Sequence, residues 1–131
     1  MNMSIPTESE EQQALFEWAQ YQKGKYPEIE LLYHTPNGGR RGKAEAGRFK
    51  AEGVKSGVPD LFLPVARGGY FGLYVEMKRR KGGKESDAQL ELFPKLRKQG
   101  YKVETCKGWE AAAQTIIKYM ALKPTEWSVK E

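Results

Sequence analysis

The sequence has almost no cysteine or histidine, with one of each in 131 residues, Cys106 and His34. A single cysteine excludes an intramolecular disulfide framework, and the two residues together are too few for a zinc site built from cysteine and histidine. No run approaches the roughly 20 apolar residues that a membrane-spanning helix requires, and the acidic start of the chain lacks the pattern of a secretion signal. We therefore expect a cytoplasmic protein with no membrane partner.

The length suits one domain, which we place at residues 1–131, with a core over about residues 7–120 and a short tail. Hydrophobic residues make up 39% of the chain, enough for a buried core. The 22 Lys and Arg residues outnumber the 17 Asp and Glu residues, so the net charge is +5. A basic balance of this size points only weakly to nucleic acid.

The distribution of the basic residues is more informative than their number. They concentrate in one segment before the central apolar runs and in another directly after them. Clusters flanked by glycines suit a DNA phosphate backbone, although a solvated loop is the alternative reading. The candidate DNA-binding residues are Lys43, Arg48, Lys55, Arg79, Arg80, Lys81 and Lys84.

Hydrophobic periodicity and turn residues predict helices, strands and a hairpin. Capping signals precede the first and third helices, and glycines separate the two central apolar runs. The order of elements predicts a mixed α/β fold with about four strands. The predicted elements are a helix at 8–22, a strand at 29–33, a short helix within 40–53, strands at 61–63 and 71–77, a helix at 87–99, a strand at 101–105 and a helix at 109–120.

Antiparallel pairing would bring three charged residues together at one end of the hairpin. With the turn between its two central glycines, Asp60 falls opposite Met77 and beside both Glu76 and Lys78. Glu76 and Lys78 are two residues apart on one strand, so their side chains leave the same face. Charges at the end of an apolar hairpin are costly unless they are paired or bind a ligand.

Phosphodiester hydrolysis gives such a group of residues a chemical purpose. The reaction needs a cation to neutralise developing charge and a correctly aimed water molecule. Asp60 and Glu76 would supply carboxylates to Mg²⁺, the carbonyl of Met77 a third oxygen, and Lys78 would orient or deprotonate the water. The competing interpretation is that Asp60 caps a turn after Pro59 and that Glu76 and Lys78 form a simple ion pair. Spacing alone does not decide between them.

The pattern of Pro59-Asp60, fifteen residues and Glu76-Met77-Lys78 resembles the signature of the PD-(D/E)xK nuclease superfamily. With Gly57-Val58 before it and Ser86-Asp87-Ala88-Gln89 after it, the ordered set resembles the VRR-NUC branch. The resemblance implies a restriction-endonuclease-like α/β fold, with a central mixed β-sheet flanked by helices. It also implies Mg²⁺ as the cofactor, with Mn²⁺ as a possible substitute.

The resemblance assigns roles to individual residues. It implies that Asp60 and Glu76 bind the metal and that Lys78 is the catalytic lysine. An acid on the first helix is also expected near the metal, and Glu8 is our choice, with Glu11 as the rival.

Gln89 matches the glutamine that the family places near its active site. Its position also suits the third residue of a capping box with Ser86, and both roles are compatible.

The resemblance further implies a homodimer that cuts four-way (Holliday) junctions, similar to phage and prophage proteins. The residues themselves show no recognition helix for the major groove, so we expect selectivity for DNA structure. Phe16, Tyr21 and Trp127 exceed what a small core needs and give weak support to dimerisation. A flap or other DNA nuclease of the same fold, and a non-catalytic DNA-binding module, are the alternatives.

Overall fold

The computed structural model describes residues 4–36 and 43–127, apart from the side chains of 43–46. In that part of the chain, helices and strands are joined by short loops, and a 3₁₀ helix precedes the first strand. No helix there is long and apolar enough to cross a membrane. The elements are α1 Glu8–Gln22, the 3₁₀ helix Pro27–Leu31, β1 Tyr33–His34, α2 Lys43–Ala51, β2 Leu61–Leu63, β3 Leu73–Lys78, α3 Asp87–Lys98, β4 Lys102–Lys107 and α4 Trp109–Met120.

The strands form one mixed sheet in the order β1-β2-β3-β4. β2 is antiparallel to both of its neighbours, whereas β3 and β4 run parallel. A parallel pair needs a crossover connection, which α3 provides. The prediction of a mixed α/β fold with about four strands is therefore confirmed, as is the short helix within 40–53.

The apolar core lies between one face of the sheet and the helices α1 and α4. Leu73, Val75 and Met77 alternate along β3 and point into this core, where each is at most 1% exposed. Leu15 of α1 and Ile116 of α4 are fully buried in the same cluster. The intervening side chains of β3 therefore project from the opposite face of the sheet.

Two helices begin with the capping boxes that the sequence predicts. Thr7 Oγ1 accepts a hydrogen bond from the N–H of Glu10, and the Glu10 carboxylate accepts one from the N–H of Thr7. Ser86 and Gln89 repeat this arrangement at the start of α3. Gly100 follows α3 with a φ of 98°, a left-handed conformation that favours glycine and ends helices.

The predicted strand at 29–33 is wrong for most of its length. Pro27 opens a 3₁₀ helix that extends to Leu31, and the strand is confined to Tyr33–His34. Proline suits the first position of a helical turn because its φ is already fixed near the helical value. The apolar character of the segment reflects the burial of Ile29 in the core, at 1% exposure, rather than strand pairing.

The predicted register between β2 and β3 is wrong by one residue. Leu61 pairs with Val75, so Asp60 comes into register with Glu76 rather than with Met77. The shift is small enough that Asp60 still lies beside both residues.

The shift arises in the connection between the two strands. Arg67 pairs with Tyr70 around the two glycines, as expected for the predicted turn. Between that pair and the end of the β2–β3 ladder, the segment after β2 has three residues, 64–66, whereas the segment before β3 has two, 71–72. Pro64 takes up the extra residue in a tight turn, in which the N–H of Val65 donates to the carbonyl of Leu63 at 2.9 Å.

Candidate active site

The candidate active site lies where β2 begins and β3 ends, on the face of the sheet opposite the apolar core. Asp60 directly precedes β2, and Glu76 and Lys78 lie at the C-terminal end of β3. Glu76 and Lys78 flank the core residue Met77, so their side chains leave the same face. The structure therefore brings together the three charged residues that the sequence spacing singles out.

Two hydrogen bonds link Asp60 to β3 in both directions. The backbone N–H of Asp60 donates to Glu76 Oε1 at 3.2 Å, and the N–H of Met77 donates to Asp60 Oδ2 at 3.0 Å. Each carboxylate thus accepts a hydrogen bond from the backbone of the neighbouring strand segment. These bonds extend the pairing of the two strands past the start of β2 and fix the two carboxylates relative to each other.

The carbonyl of Met77 points toward the same side of β3 as Asp60. In an extended strand, the N–H and C=O of one residue project to the same edge, as the paired hydrogen bonds of an antiparallel ladder require. Since the N–H of Met77 donates to Asp60, its carbonyl also faces that edge. This direction suits the predicted use of the Met77 carbonyl as a third oxygen ligand.

Lys78 forms a largely buried ion pair with Glu76. Its Nζ lies 3.1 Å from Glu76 Oε2, and the two side chains are 12% and 4% exposed. The ion pair of the competing sequence interpretation is therefore present. It does not explain Asp60, because one lysine cannot neutralise two carboxylates.

The two carboxyls perturb each other. Burial, and after it the charge of Asp60, raise the pKa of Glu76 from 4.5 to about 7. Burial also raises the pKa of Asp60, against the lowering effect of the hydrogen bond from Met77. Burial and the closeness of the two groups therefore disfavour full ionisation of both carboxyls in the metal-free protein.

Glu8, at the start of α1, is the first-helix acid that acts on the site. Its charge contributes to the raised pKa of Asp60, and its side chain is exposed. Glu11 lies one turn further along, is 1% exposed and pairs with Arg80 instead. The structure therefore favours Glu8 over Glu11 as the acid near the candidate metal site.

Arg80 holds the buried carboxylate of Glu11. Its Nε lies 2.8 Å from Glu11 Oε2, and its Nη2 donates to Glu11 Oε1 at 3.1 Å and also pairs with Glu110. The N–H of Trp109 donates to Glu11 Oε1 at 3.4 Å. This network joins α1, the segment after β3 and the start of α4. Arg80 thus has a structural role, and its assignment to DNA binding stays a prediction.

Gln89 lies both in the capping box of α3 and near Glu76. Its Oε1 accepts the capping hydrogen bond from the N–H of Ser86 at 2.9 Å. Its side chain also lies close enough to Glu76 to lower the pKa of that carboxyl through hydrogen bonding. The first turn of α3 is thereby tied to the candidate site.

Gly57 lets the loop that carries Asp60 pack against α3. Its φ is 88°, and a Cβ at this position would lie 2.6 Å from the carbonyl oxygen of Ala88. Only glycine tolerates both the left-handed conformation and the close approach. The Gly57-Val58-Pro59-Asp60 segment therefore lies directly on the helical turn that carries Gln89.

Glu85 and Thr105 border the site and were not among the predicted residues. Thr105 is the neighbour of Glu76 on β4. The pKa of Glu85 is lowered by a backbone hydrogen bond, by a side-chain hydrogen bond with Thr105 and by the charges of Lys78 and Lys107. No sequence signal marks these residues, because their proximity depends on the register of the parallel β3–β4 pair.

The predicted DNA-binding side chains are accessible wherever the structure describes them. Arg79 donates a hydrogen bond from its Nη2 to the carbonyl of Ile5, at 3.3 Å, in the segment before α1. The side chain of Lys43 lies outside the described residues. Exposed side chains among the predicted set are Arg48, Lys55, Arg79, Arg80, Lys81 and Lys84. Binding of DNA by these residues stays a prediction.

The donor set at the site fits magnesium. Among the side chains that the structure describes, no three His, Cys, Asp or Glu residues are arranged to hold a metal ion by themselves. Magnesium does not need such a cluster, since proteins commonly hold it with one or two carboxylates while water and substrate phosphate complete the shell. Asp60 and Glu76 meet this requirement, and a divalent cation would favour the ionised form of both carboxyls, whose pKa values are raised in the metal-free protein.

The family model for the VRR-NUC domain matches residues 6–110, a range that includes Glu8, Asp60, Glu76, Lys78 and Gln89. The chain belongs to the VRR-NUC family. This is a family of nucleases, which implies a DNA substrate. The sequence-based assignment to the family is thereby confirmed.

A solved structure described as a VRR_NUC domain protein is similar to the chain over nearly its full length. The two are 34% identical, the match covers 93% of this chain and 94% of that one, and the TM-score is 0.81. A comparison with curated proteins found no match. The predicted restriction-endonuclease-like fold, a mixed sheet flanked by helices, is confirmed by these similarities and by the architecture.

Two neighbouring arginines should differ in their effect on stability. Arg80→Ala should lower the melting temperature because it leaves the buried carboxylate of Glu11 without its cation. Arg79→Ala, the matched control, should change it little because it removes one hydrogen bond at the surface. Thermal unfolding followed by circular dichroism measures both. Equal melting temperatures for the two variants would contradict the structural role of Arg80.

Glu76→Gln should stabilise the metal-free protein increasingly as the pH rises. A raised pKa means that folding favours the protonated carboxyl, so this group lowers the stability of the wild type as the pH rises from about 4.5 to about 7. Glutamine cannot ionise. The difference in free energy of unfolding should therefore move in favour of the variant by a few kcal/mol, at about 1.4 kcal/mol for each unit of pKa shift.

Urea unfolding in EDTA, at intervals between pH 4.5 and pH 8, measures this difference. Glu91→Gln is the matched control, because Glu91 is exposed and pairs with Lys95 on the surface of α3. A difference between wild type and Glu76→Gln that does not change with pH would show that Glu76 has an ordinary pKa.

Proposed function

We propose that the chain is a Mg²⁺-dependent DNA endonuclease that hydrolyses phosphodiester bonds in branched DNA, four-way (Holliday) junctions in the first place. The observation that carries this proposal is the placement of Asp60 beside Glu76 by two backbone hydrogen bonds, with Lys78 Nζ 3.1 Å from Glu76. Membership of a nuclease family supports it. Mn²⁺ should substitute for Mg²⁺, since both accept carboxylate and carbonyl oxygens.

Asp60 and Glu76 would hold the metal ion, with the carbonyl of Met77 as a third protein oxygen. When bound there, Mg²⁺ supplies positive charge to the phosphate and makes a coordinated water more acidic. Asp60 is kept in place by the N–H of Met77, and Glu76 by the N–H of Asp60 and by Gln89. Glu8 is exposed and adds negative charge to the site.

Lys78 is the residue that we assign to the reacting water. Its side chain lies on the same face as Glu76, with Nζ 3.1 Å from that carboxylate, and is 12% exposed. As an ammonium group it would orient the attacking water or stabilise the charge that develops on the phosphate, and as the neutral amine it would take the proton of the water.

The exposed basic residues support a substrate that is recognised through its backbone. Lys55 precedes the Asp60 loop, and Lys81 and Lys84 follow the end of β3, so positive charge flanks the carboxylates on both sides along the chain. Phosphate contacts position DNA without reading its sequence. Selectivity would then come from the shape of the DNA, which favours branched substrates.

A homodimer would suit a four-way junction, because paired nicks require two active sites related by a two-fold axis. Of the three aromatic residues that suggested dimerisation, Phe16 packs against the core and is partly buried. Tyr21 and Trp127 are 80% and 60% exposed and remain available for contact with a second copy.

A flap or other nuclease of the same fold and a non-catalytic DNA-binding module are the competing functions. The first differs only in the DNA structure that is cut. The second requires salt-sensitive binding without metal-dependent cleavage. The complete set of Asp60, Glu76 and Lys78 favours catalysis.

Cleavage of a labelled four-way junction, a flap and a matched linear duplex, each with Mg²⁺ or EDTA, tests the proposal. We expect the junction to be cut fastest, with Mg²⁺ only. Lys78→Ala should lose at least 100-fold in rate, a typical loss for a group that transfers a proton or stabilises charge in the transition state.

Lys118→Ala is the matched control, because Lys118 is an exposed lysine on α4 outside the candidate site. It should cleave like the wild type. Faster cutting of the flap would support the flap nuclease. Tight binding to every substrate without cleavage in Mg²⁺ or Mn²⁺ would refute catalysis and support the DNA-binding module.

A further inference from the structure

Three aromatic rings cross the sheet in a row, one on each of three adjacent strands. Tyr33 of β1 pairs with Phe62 of β2, and Phe62 pairs with Tyr74 of β3. The rings of Phe62 and Tyr74 are stacked, with centroids 4.3 Å apart, and Tyr33 meets Phe62 edge-on at 5.9 Å. We call Tyr33, Phe62 and Tyr74 the aromatic row.

The aromatic row lies on the same face of the sheet as the candidate catalytic residues. Tyr74 is two residues before Glu76, and Phe62 is two residues after Asp60. Side chains two residues apart on a strand share a face and are separated by about 7 Å. The aromatic row is therefore the next rank of side chains beside the two carboxylates.

The apolar core on the other face of the sheet does not contain these rings. Their neighbours along the strands, Leu61, Leu63, Leu73 and Val75, fill that core and are fully buried. Tyr33 is 50% exposed, and Phe62 and Tyr74 are half-buried. Tyr101 packs edge-on against Phe62 and Tyr74, so Tyr33 presents most of the solvent-facing ring surface of the aromatic row.

We propose that the aromatic row is a stacking platform for an unpaired base next to the scissile phosphate. A scissile phosphate positioned next to Asp60 and Glu76 would place the adjoining nucleotide within one side-chain rank of Phe62 and Tyr33. Every nucleobase has a flat face that stacks on aromatic rings whatever its sequence. This inference rests on the proposed function and gives it a substrate class, namely DNA with unpaired nucleotides at the cleavage position.

The continuity of the aromatic row with the candidate catalytic residues favours a base over a second copy of the chain as its occupant. A base in an intact duplex is already stacked between its neighbours and cannot reach a protein surface without leaving the helix. Nucleotides at a branch point can be unpaired at lower cost. The platform would therefore contribute to the selection of branched DNA over linear duplex.

Substitution of Tyr33 tests the proposal, because its exposure allows changes without loss of the core. The probe is a branched DNA with 2-aminopurine next to the cleavage position, bound in EDTA so that no metal-dependent cutting occurs. Stacking on the wild type should change the fluorescence of the probe. Tyr33→Leu keeps apolar surface but removes the ring, and should weaken binding about tenfold and abolish the fluorescence change.

Tyr33→Phe keeps the ring and should bind within twofold of the wild type. Unchanged binding and fluorescence with Tyr33→Leu would overturn the platform. A lower molar mass of Tyr33→Leu by light scattering, with unchanged DNA binding, would also overturn it and identify this face as a contact between copies.

The stacking experiment and the cleavage experiment can fail independently of each other. Stacking by a wild-type protein that cuts no DNA in Mg²⁺ would refute the nuclease proposal and leave the platform in place. Cleavage by both the wild type and Tyr33→Leu, with equal affinities, would refute only the platform.

Discussion

The exchange of hydrogen bonds between Asp60 and β3 is the constraint on which the candidate site depends. Two carboxylates that share a buried position repel each other and would separate if only side-chain contacts held them. Here each carboxylate accepts a hydrogen bond from a backbone N–H of the neighbouring strand segment, at 3.2 and 3.0 Å. The register of β2 and β3, which the core residues on the other face set, therefore determines how closely Asp60 and Glu76 approach.

The helices complete the site by fixing what surrounds this pair. The capping turn of α3 brings Gln89 to Glu76, and Gly57 allows the Asp60 loop to lie against the same turn. Arg80 secures α1 through Glu11, and so holds the helix that carries Glu8. The raised pKa of Glu76 shows that ionisation of this carboxyl is unfavourable in the metal-free protein. Raised pKa values of this kind are typical of functional sites.

The parts of the structure that depend on local sequence could be predicted, and those that depend on tertiary contacts could not. Glu76 and Lys78 share a face because alternate residues of any strand do, so their proximity was readable from spacing. The one-residue shift in register was not, because it arises from the turn at Pro64. Arg79 and Arg80 are alike in sequence, and only the folded chain shows that Arg80 alone holds the buried Glu11.

The central claim is that Asp60 and Glu76 form a divalent-metal site, and metal binding in the absence of DNA tests it most directly. Titration of Mn²⁺ at pH 8, followed by electron paramagnetic resonance, compares the wild type with Asp60→Asn. The asparagine keeps an oxygen that can accept the hydrogen bond from Met77 but removes one of the two charges. We predict saturable Mn²⁺ binding by the wild type and its loss in Asp60→Asn. Equal binding by both proteins, or none by the wild type, would contradict the account.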